Sequence, residues 1–449
     1  MTHVVVRGLP FSTRLAGAHA KDLIASDKAR AQKLLKGINP HGPLAFYESH
    51  RRRREHERHE RHEHERHEHY ERHRHHHAGG AASTGSSGTG STGTGTGTGT
   101  PSGGSGAGTT SGDGVDVSDA SVNYNATVGV GSPATDYTLL IDTGSSNTWV
   151  GADQKYAPTT SSKSTGNTVN VSYGSGSFSG TEYVDQVTIA PDLVIQQQSI
   201  GVATQATGFS GVDGILGVGP TDLTQGTVSN TTTVPTVTDN LFSQGTISTE
   251  VLAISFEPST TSDPANGELT FGGTDSTKYT GEITYTPITT TSPASAYWGI
   301  NQSVTYGNST TLLSGNPGIV DTGTTLLLLA SDAFSKYEKA TGGVLDNTTG
   351  LLTITEAQYE SLESLYFVIG GTTFEFTANA QIWPRALNSA IGGQEGTIYL
   401  IASDIGSNSG SGLDFINGFG WLQRFYSVFD TTNTQVGIAT TPYTDATTN

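Results

Sequence analysis

The residues best placed to do chemistry occur in two copies of one string. Leu140-Ile141-Asp142-Thr143-Gly144-Ser145-Ser146 and Ile319-Val320-Asp321-Thr322-Gly323-Thr324-Thr325 each carry an apolar run into Asp-Thr-Gly and then into hydroxyl residues. One Asp-Thr-Gly is a common turn tripeptide. Two copies, each behind an apolar run, indicate two related halves that bring one acid apiece to a shared site. Carboxylates a few ångströms apart cannot both ionise freely and can share a proton. One can then act as general base on a water while the other donates a proton, without metal or histidine. The glycine allows a tight turn. The hydroxyls of Thr143, Ser145, Thr322 and Thr324 can donate hydrogen bonds that keep the two carboxylates coplanar.

Such acids need a rigid, partly desolvated seat, and from about Val115 the chain has the texture to build one. Short runs rich in Val, Ile, Thr, Tyr and Phe alternate with Gly, Ser and Asn, as in Tyr124–Val130, Thr168–Tyr173, Leu252–Phe256 and Phe425–Asp430. This predicts a mainly β body with many turns. Leu326–Leu329 reads as a buried strand. Helices are expected at Pro235–Gln244, at Ser331–Ala340, and after the capping box Thr355-Glu356-Ala357-Gln358. Alternating βαβ units are missing, which argues against a doubly wound sheet.

Upstream, the texture differs. Ala20–Leu35 places Leu23, Ile24, Ala31, Leu34 and Leu35 at helical spacing within a basic stretch, 1–49. Residues 50–77 are almost wholly Arg, His and Glu, read as low-complexity drift in a disposable segment rather than a metal or pH sensor. Residues 78–114 are a Gly/Ser/Thr linker and a cleavage region.

Charge divides the same way. Residues 1–77 carry 16 Lys/Arg and 10 Asp/Glu; the remainder carries 7 and 31, giving the whole chain its net −18. An acidic body argues against nucleic acid as a partner. It also suits work in acid, where the carboxylates neutralise and few positive charges remain to repel one another. All 14 histidines lie at or before His77 and there is no cysteine. That excludes Ser-His-Asp and Cys-His catalysis and the usual zinc sites from the main body, and no metal or other cofactor is expected. No run reaches the 18 or more apolar residues of a membrane span. Met1–Pro10 lacks the apolar core of a secretory signal, so the protein is either cytosolic or its true N-terminus is missing from this sequence.

Over about 120–441 the sequence resembles the pepsin family of aspartic endopeptidases, and looks closest to fungal, polyporopepsin-type members. Beyond the twin acids, Ser145-Ser146-Asn147-Thr148-Trp149-Val150 is similar to the family's stretch after the first Asp. Val171-Ser172-Tyr173-Gly174-Ser175-Gly176-Ser177 resembles its flap hairpin, and Asp213-Gly214-Ile215-Leu216-Gly217 its strand under the first catalytic loop. Gly267–Gly273 and Arg424–Asp430 resemble its interlobe region and closing strands. The resemblance implies a bilobal fold of two pseudo-symmetric, β-barrel-like lobes with a cleft between them. It implies an acid endopeptidase made as a zymogen, with Asp142 and Asp321 catalytic. Tyr173, Gly174 and Ser175 would form the substrate flap, and Thr143, Gly144, Ser145, Thr322, Gly323, Thr324 and Trp149 would support the dyad. Trp149 is expected mainly as core, acting indirectly on the flap tyrosine, and Asp213 as a turn residue.

The corresponding division is a basic propeptide over 1–112, an N-terminal catalytic lobe over 113–283 and a C-terminal catalytic lobe over 284–449. The propeptide would act as inhibitor, with Lys33 and Lys36 the candidates to face the dyad. Partners would be protein substrates and pepstatin-type inhibitors, the chain a monomer, and its location secreted or vacuolar. One departure stands out: Ile416-Asn417-Gly418-Phe419 replaces the family's usual apolar residue and Gly-Asp, which questions the support of the second loop. Six Asn-x-Ser/Thr sequons occur, at Asn125, Asn170, Asn230, Asn301, Asn308 and Asn347, with Asn170 the least suited to a glycan. The rival readings are a catalytically dead pepsin-like binding protein, which should have lost an Asp or its neighbours, and a two-carboxylate glycosidase.

Overall fold

A computed structural model describes residues 7–15, 19–36, 122–174, 176–261 and 265–449. The Arg/His/Glu tract, the Gly/Ser/Thr linker, Lys-free residues 37–121 in general and the flap residue Ser175 lie outside the described residues. The fold is mainly β and bilobal, as the sequence indicated. Among the described residues the strands form sheets of thirteen, seven and three strands.

The internal repeat of the sequence is a repeat of topology. In the first half the strand Thr135–Asp142 runs parallel to Gly214–Gly217, with Asp142 opposite Gly217. Trp149–Val150 then returns antiparallel to Gly214–Gly217 on its other side. In the second half Thr310–Val320 runs parallel to Phe415–Asn417, and Leu327–Leu329 returns antiparallel to it. Each acid therefore sits at the end of a strand and is flanked by a short, fully buried strand. Strands covered on both faces read as continuous apolar runs, which is why Gly214-Ile215-Leu216-Gly217 and Leu327–Leu329 show no alternation.

The four sequence-read strands are present, as Val122–Val130, Lys163–Ser172, Val251–Phe256 and Phe425–Asp430. Helix α1 (Ala20–Lys36) buries Leu23, Ile24, Ala31 and Leu34, with Leu35 partly buried against them. Each such leucine removed from water is worth roughly 2 kcal/mol. Helices α2 (Val237–Ser243) and α4 (Glu356–Glu360) both start with a reciprocal capping box, Thr236 with Asp239 and Thr355 with Gln358. Helix α3 (Ser331–Thr341) stops at Gly342, whose φ of 65° needs a residue without a Cβ. A short helix α5 (Phe419–Leu422) had no sequence signal.

Nor was the strand Arg7–Leu15 foreseen. It lies between Ala265–Phe271 and Val122–Val130, antiparallel to both, with Arg7 opposite Phe271 and Thr13 opposite Tyr124. Its apolar residues Leu9 and Phe11 alternate with polar or small ones, a signal too short to separate from a coil.

Candidate active site

Asp142 and Asp321 are both wholly buried. Each carboxylate is held from within its own loop. Asp142 accepts from Gly144 N–H at 2.9 Å and Ser145 Oγ at 2.5 Å; Asp321 accepts from Gly323 N–H at 3.1 Å and Thr324 Oγ1 at 2.7 Å. The two glycines do more than turn the chain, and neither uses a left-handed φ. A β-carbon on Gly144 would lie 2.6 Å from Asp321 Oδ1, and one on Gly323 would lie 2.7 Å from Asp142 Oδ1. Each glycine makes room for the acid of the other loop.

The threonines after the acids play another part than the one read from sequence. Thr143 and Thr322 do not hold carboxylates; they hold the loops together. Thr143 N–H donates to Thr322 Oγ1 and Thr322 N–H donates to Thr143 Oγ1, each at 3.0 Å. Thr322 Oγ1 goes on to donate to Ile141 C=O at 3.0 Å. This reciprocal pattern depends on the pairing of two loops, which a single loop's sequence does not display.

The departure at Asn417 leaves the second loop supported. Its carbonyl accepts from Asp321 N–H at 3.2 Å, and Phe419 and Gly420 N–H donate to Thr324 and Thr325 C=O. The Asn417 amide is buried but satisfied, exchanging two hydrogen bonds with the buried Gln302 amide at 3.1 and 2.9 Å. Phe419 packs on Tyr124 and Phe256.

The hairpin formed by Lys163–Ser172 and Ser177–Ala190 carries Tyr173 and Gly174 at its tip, closed by a Tyr173 N–H bond to Gly176 C=O at 2.6 Å. Tyr173 is buried, and its ring lies 5.3 Å from Phe209 and 6.5 Å from Trp149. Burial, then the charge of Asp142, push the Tyr173 hydroxyl well above its usual range. Trp149 stacks on Phe178 at 4.2 Å and is core, touching the site through Tyr173. Asp213 is structural, accepting from Thr138 and Gln154 N–H. Of the six sequons, Asn125 rather than Asn170 is the buried one.

Helix α1 lies on the acids. Arg30 Nε donates to Asp321 Oδ2 at 2.6 Å; its Nη2 donates to Asp321 Oδ1 at 2.9 Å and also to Asp142 Oδ1. Burial opposes the guanidinium charge, but Asp142 and Asp321 outweigh it and hold Arg30 above its ordinary range. The residue on the acids is thus Arg30, not Lys33 or Lys36. Lys33, one turn on, lies over the Tyr173 ring at 5.4 Å, and burial lowers it to about 8, with Arg30 adding to the shift. Asp27, one turn back, is buried and accepts from Thr325 and Leu326 N–H at 2.8–3.1 Å. Burial pushes its carboxyl up to about 7 against the pull of those two N–H groups, with the Asp321 charge adding and the Arg30 charge subtracting. Beside the helix, a cavity of about 230 Å³ remains open between Arg30, Lys33, Tyr173, Asn147 and Gln225.

Among the described residues no His/Cys/Asp/Glu cluster suits a metal ion, and no helix is long and apolar enough to cross a membrane. The chemistry available to this arrangement is proton transfer between two coupled carboxylates.

Residues 123–441 match the family model described as eukaryotic aspartyl protease. Polyporopepsin of Irpex lacteus is 66% identical over 337 residues, covering 75% of this chain and 99% of the relative. Rhizopuspepsin-1 of Rhizopus niveus is 34% identical over 61% of this chain and 70% of its own length, and pepsin A of Sus scrofa 30% over 70% and 80%. The crystal structure of the aspartic proteinase from Irpex lacteus superposes with a TM-score of 0.72 at 67% identity, covering 73% of this chain and 97% of that one.

Proposed function

The chain belongs to the eukaryotic aspartyl protease family, and from that premise we propose that Asp142 and Asp321 form its catalytic dyad, in an enzyme made as a zymogen. The protein is an aspartic-type endopeptidase that acts on peptide substrates. The observation that carries the proposal is the seating of two wholly buried carboxylates on loops tied to each other by reciprocal threonine bonds. Loops so tied hold the acids at one separation while the substrate changes, which is what positioning asks of a site.

In the reaction, one carboxylate is ionised and the other protonated, the shared-proton state for which aspartic proteases are the standard example. The ionised acid takes a proton from the attacking water, and the protonated acid donates to the carbonyl oxygen of the scissile bond. A neutral tetrahedral diol forms. The proton then passes to the leaving amine and the C–N bond breaks. By likeness to the family, Asp142 is the base and Asp321 the acid, although the protons belong to the pair. Tyr173, Gly174 and Ser175 would close over the substrate.

The zymogen reading rests on Arg30. A guanidinium bonded to both acids takes up the oxygens that would hold the attacking water, so the docked chain is inactive. Acid neutralises the carboxylates and removes the partners of Arg30, after which residues 1–112 are cut away from the two lobes, 113–283 and 284–449. The basic segment and acidic body attract before that point. A secreted or vacuolar monomer, open to pepstatin-type inhibitors, completes the reading.

The test is cleavage of denatured haemoglobin or casein by the purified chain across pH 2–8, with and without pepstatin, beside Asp142→Asn and Asp321→Asn. Activity that rises below about pH 5, is blocked by pepstatin and falls at least about 10³-fold in both variants is expected. A processed chain that stays inactive would make it a binding protein instead.

A further inference from the structure

The two catalytic loops are joined a second time, through one side chain. Trp298 is buried, and lies just before the strand Gly299–Tyr306 of the seven-stranded sheet. Its indole Nε1–H donates to Val218 C=O at 3.2 Å. Val218 directly follows the strand Gly214–Gly217 of the thirteen-stranded sheet, and its own N–H donates to Asp142 C=O at 2.9 Å. On the other side, Trp298 C=O accepts from Val320 N–H at 3.1 Å, and Val320 is the residue before Asp321. Three hydrogen bonds thus run from the backbone of one acid to the neighbour of the other, and the middle one is the single side-chain bond in the series.

The indole is buried among close neighbours. One face packs on Phe429, ring centres 5.3 Å apart, and the following glycine lies against the Ala294 backbone so closely that no β-carbon fits. The threonine pair fixes the loops where they touch. Trp298 bonds one residue further out, to Val218 after the strand Gly214–Gly217 and to Val320 at the end of the strand Thr310–Val320.

Resting on the dyad reading above, we propose that Trp298 is a positioning residue that sets the separation of Asp142 and Asp321. It touches no substrate; it acts through the strand Gly214–Gly217 that flanks Asp142 and the strand Thr310–Val320 that leads into Asp321. The consequence is specific. The gap between the two proton-loss steps of a carboxylate pair comes from their mutual repulsion, which falls with distance. At an effective dielectric constant near 20, one added ångström at a separation of about 3 Å narrows that gap by roughly 1 pH unit.

The experiment is the pH profile of kcat/KM on a fixed peptide, using the full-length chain after acid treatment. Trp298→Phe keeps an aromatic ring and removes the N–H. We expect its bell to narrow from both sides by about half a pH unit or more, with kcat down roughly ten-fold and KM within about two-fold. Trp421→Phe is the control for loss of a buried indole: Trp421 packs on Phe425 and Phe367 and bonds to neither loop through its side chain. It should lower the melting temperature and leave both limbs in place. Should Trp298→Phe fail to fold, benzothienylalanine at position 298 keeps the bicycle and still removes the N–H. Limbs that coincide with those of the parent chain, in whichever of the two variants folds, overturn the proposal. A parent chain without acid activity, or one untouched by Asp142→Asn, overturns the dyad reading instead, so the two failures are distinct.

Discussion

Replacing Arg30 by methionine should unmask activity in the uncut chain. Methionine keeps the length and apolar stem of arginine and its helix propensity, so α1 should persist. The guanidinium makes three charge-assisted hydrogen bonds to two wholly buried carboxylates and is itself only 12% exposed. Removing one partner from such a buried group costs about 3–5 kcal/mol, because charge is left uncompensated. Here the acids can recover part of that by taking up one proton between them, the state in which the dyad works. If about half is recovered, roughly 2 kcal/mol of docking energy is lost, and the undocked fraction rises about 30-fold. The readout is the initial rate on a quenched fluorescent peptide at pH 6, taken before any shorter chain shows on a gel. Lys33→Met is the comparison. It removes a cation–π contact with Tyr173 worth about 0.5–1 kcal/mol, and should raise the rate only two- to five-fold. An Arg30→Met chain as latent as the parent, or a Lys33→Met chain that is the more active of the two, refutes the assignment of Arg30 as the latch.

Two further predictions concern pH. The Asp27 carboxyl has its pKa raised by burial from 3.8 to about 7 in the docked state, so docking takes up a proton. Its contribution to seating is complete below about pH 4 and is lost as pH rises through 7. It therefore opposes the release that acid brings about at Arg30. Tryptic cleavage after Lys28, Arg30 or Lys33 should speed up between pH 6 and 8.5, and Asp27→Asn should flatten that rise; an unchanged rise would discount Asp27. In the body, Glu182 is buried with a bond to Ser199, and burial raises it from 4.5 to about 7. Its stabilisation is present below about pH 4.5 and fades through pH 7, by roughly 3 kcal/mol at most. Glu250, raised to about 8 by burial and by Asp239, acts in the same direction. Melting temperature should therefore fall from pH 5 to 8.5, and Glu182→Gln should make the decline shallower; parallel curves for the two chains would exclude Glu182 as a cause.

What could be read from the sequence was whatever local pattern determines. The twin Asp-Thr-Gly loops, the hairpin tip at Tyr173, the capping box at Thr355 and the apolar stripe of α1 are all set by neighbours a few residues away. The misses share another origin. Thr143 and Thr322 bond to each other across 179 residues, so each alone looks like a donor to its own aspartate. Asn417 looked like a defect until Gln302, 115 residues earlier, supplied both of its amide bonds. Arg30 has no motif of its own. It is flanked by Ala29 and Ala31, and only the docking of the Leu23, Ile24, Ala31 and Leu34 face decides that it, and not Lys33, meets the acids. Small neighbours on both sides of a lone arginine are the one trace the sequence offered.

The conformation of α1 bears on its own survival. A peptide bond is cut when its carbonyl and its amide lie bare and extended beside the acids. Within Ala20–Lys36 the interior backbone groups are already engaged along the helix axis, and the chain cannot lie flat under the hairpin. What reaches the acids is the far end of a side chain, with three methylenes between it and the nearest backbone. A polypeptide can thus rest on a machine that severs polypeptides and remain whole, provided it stays coiled. The event that exposes it to attack is then its own unwinding, so the lifetime of the uncut chain would be set by how often this one helix melts.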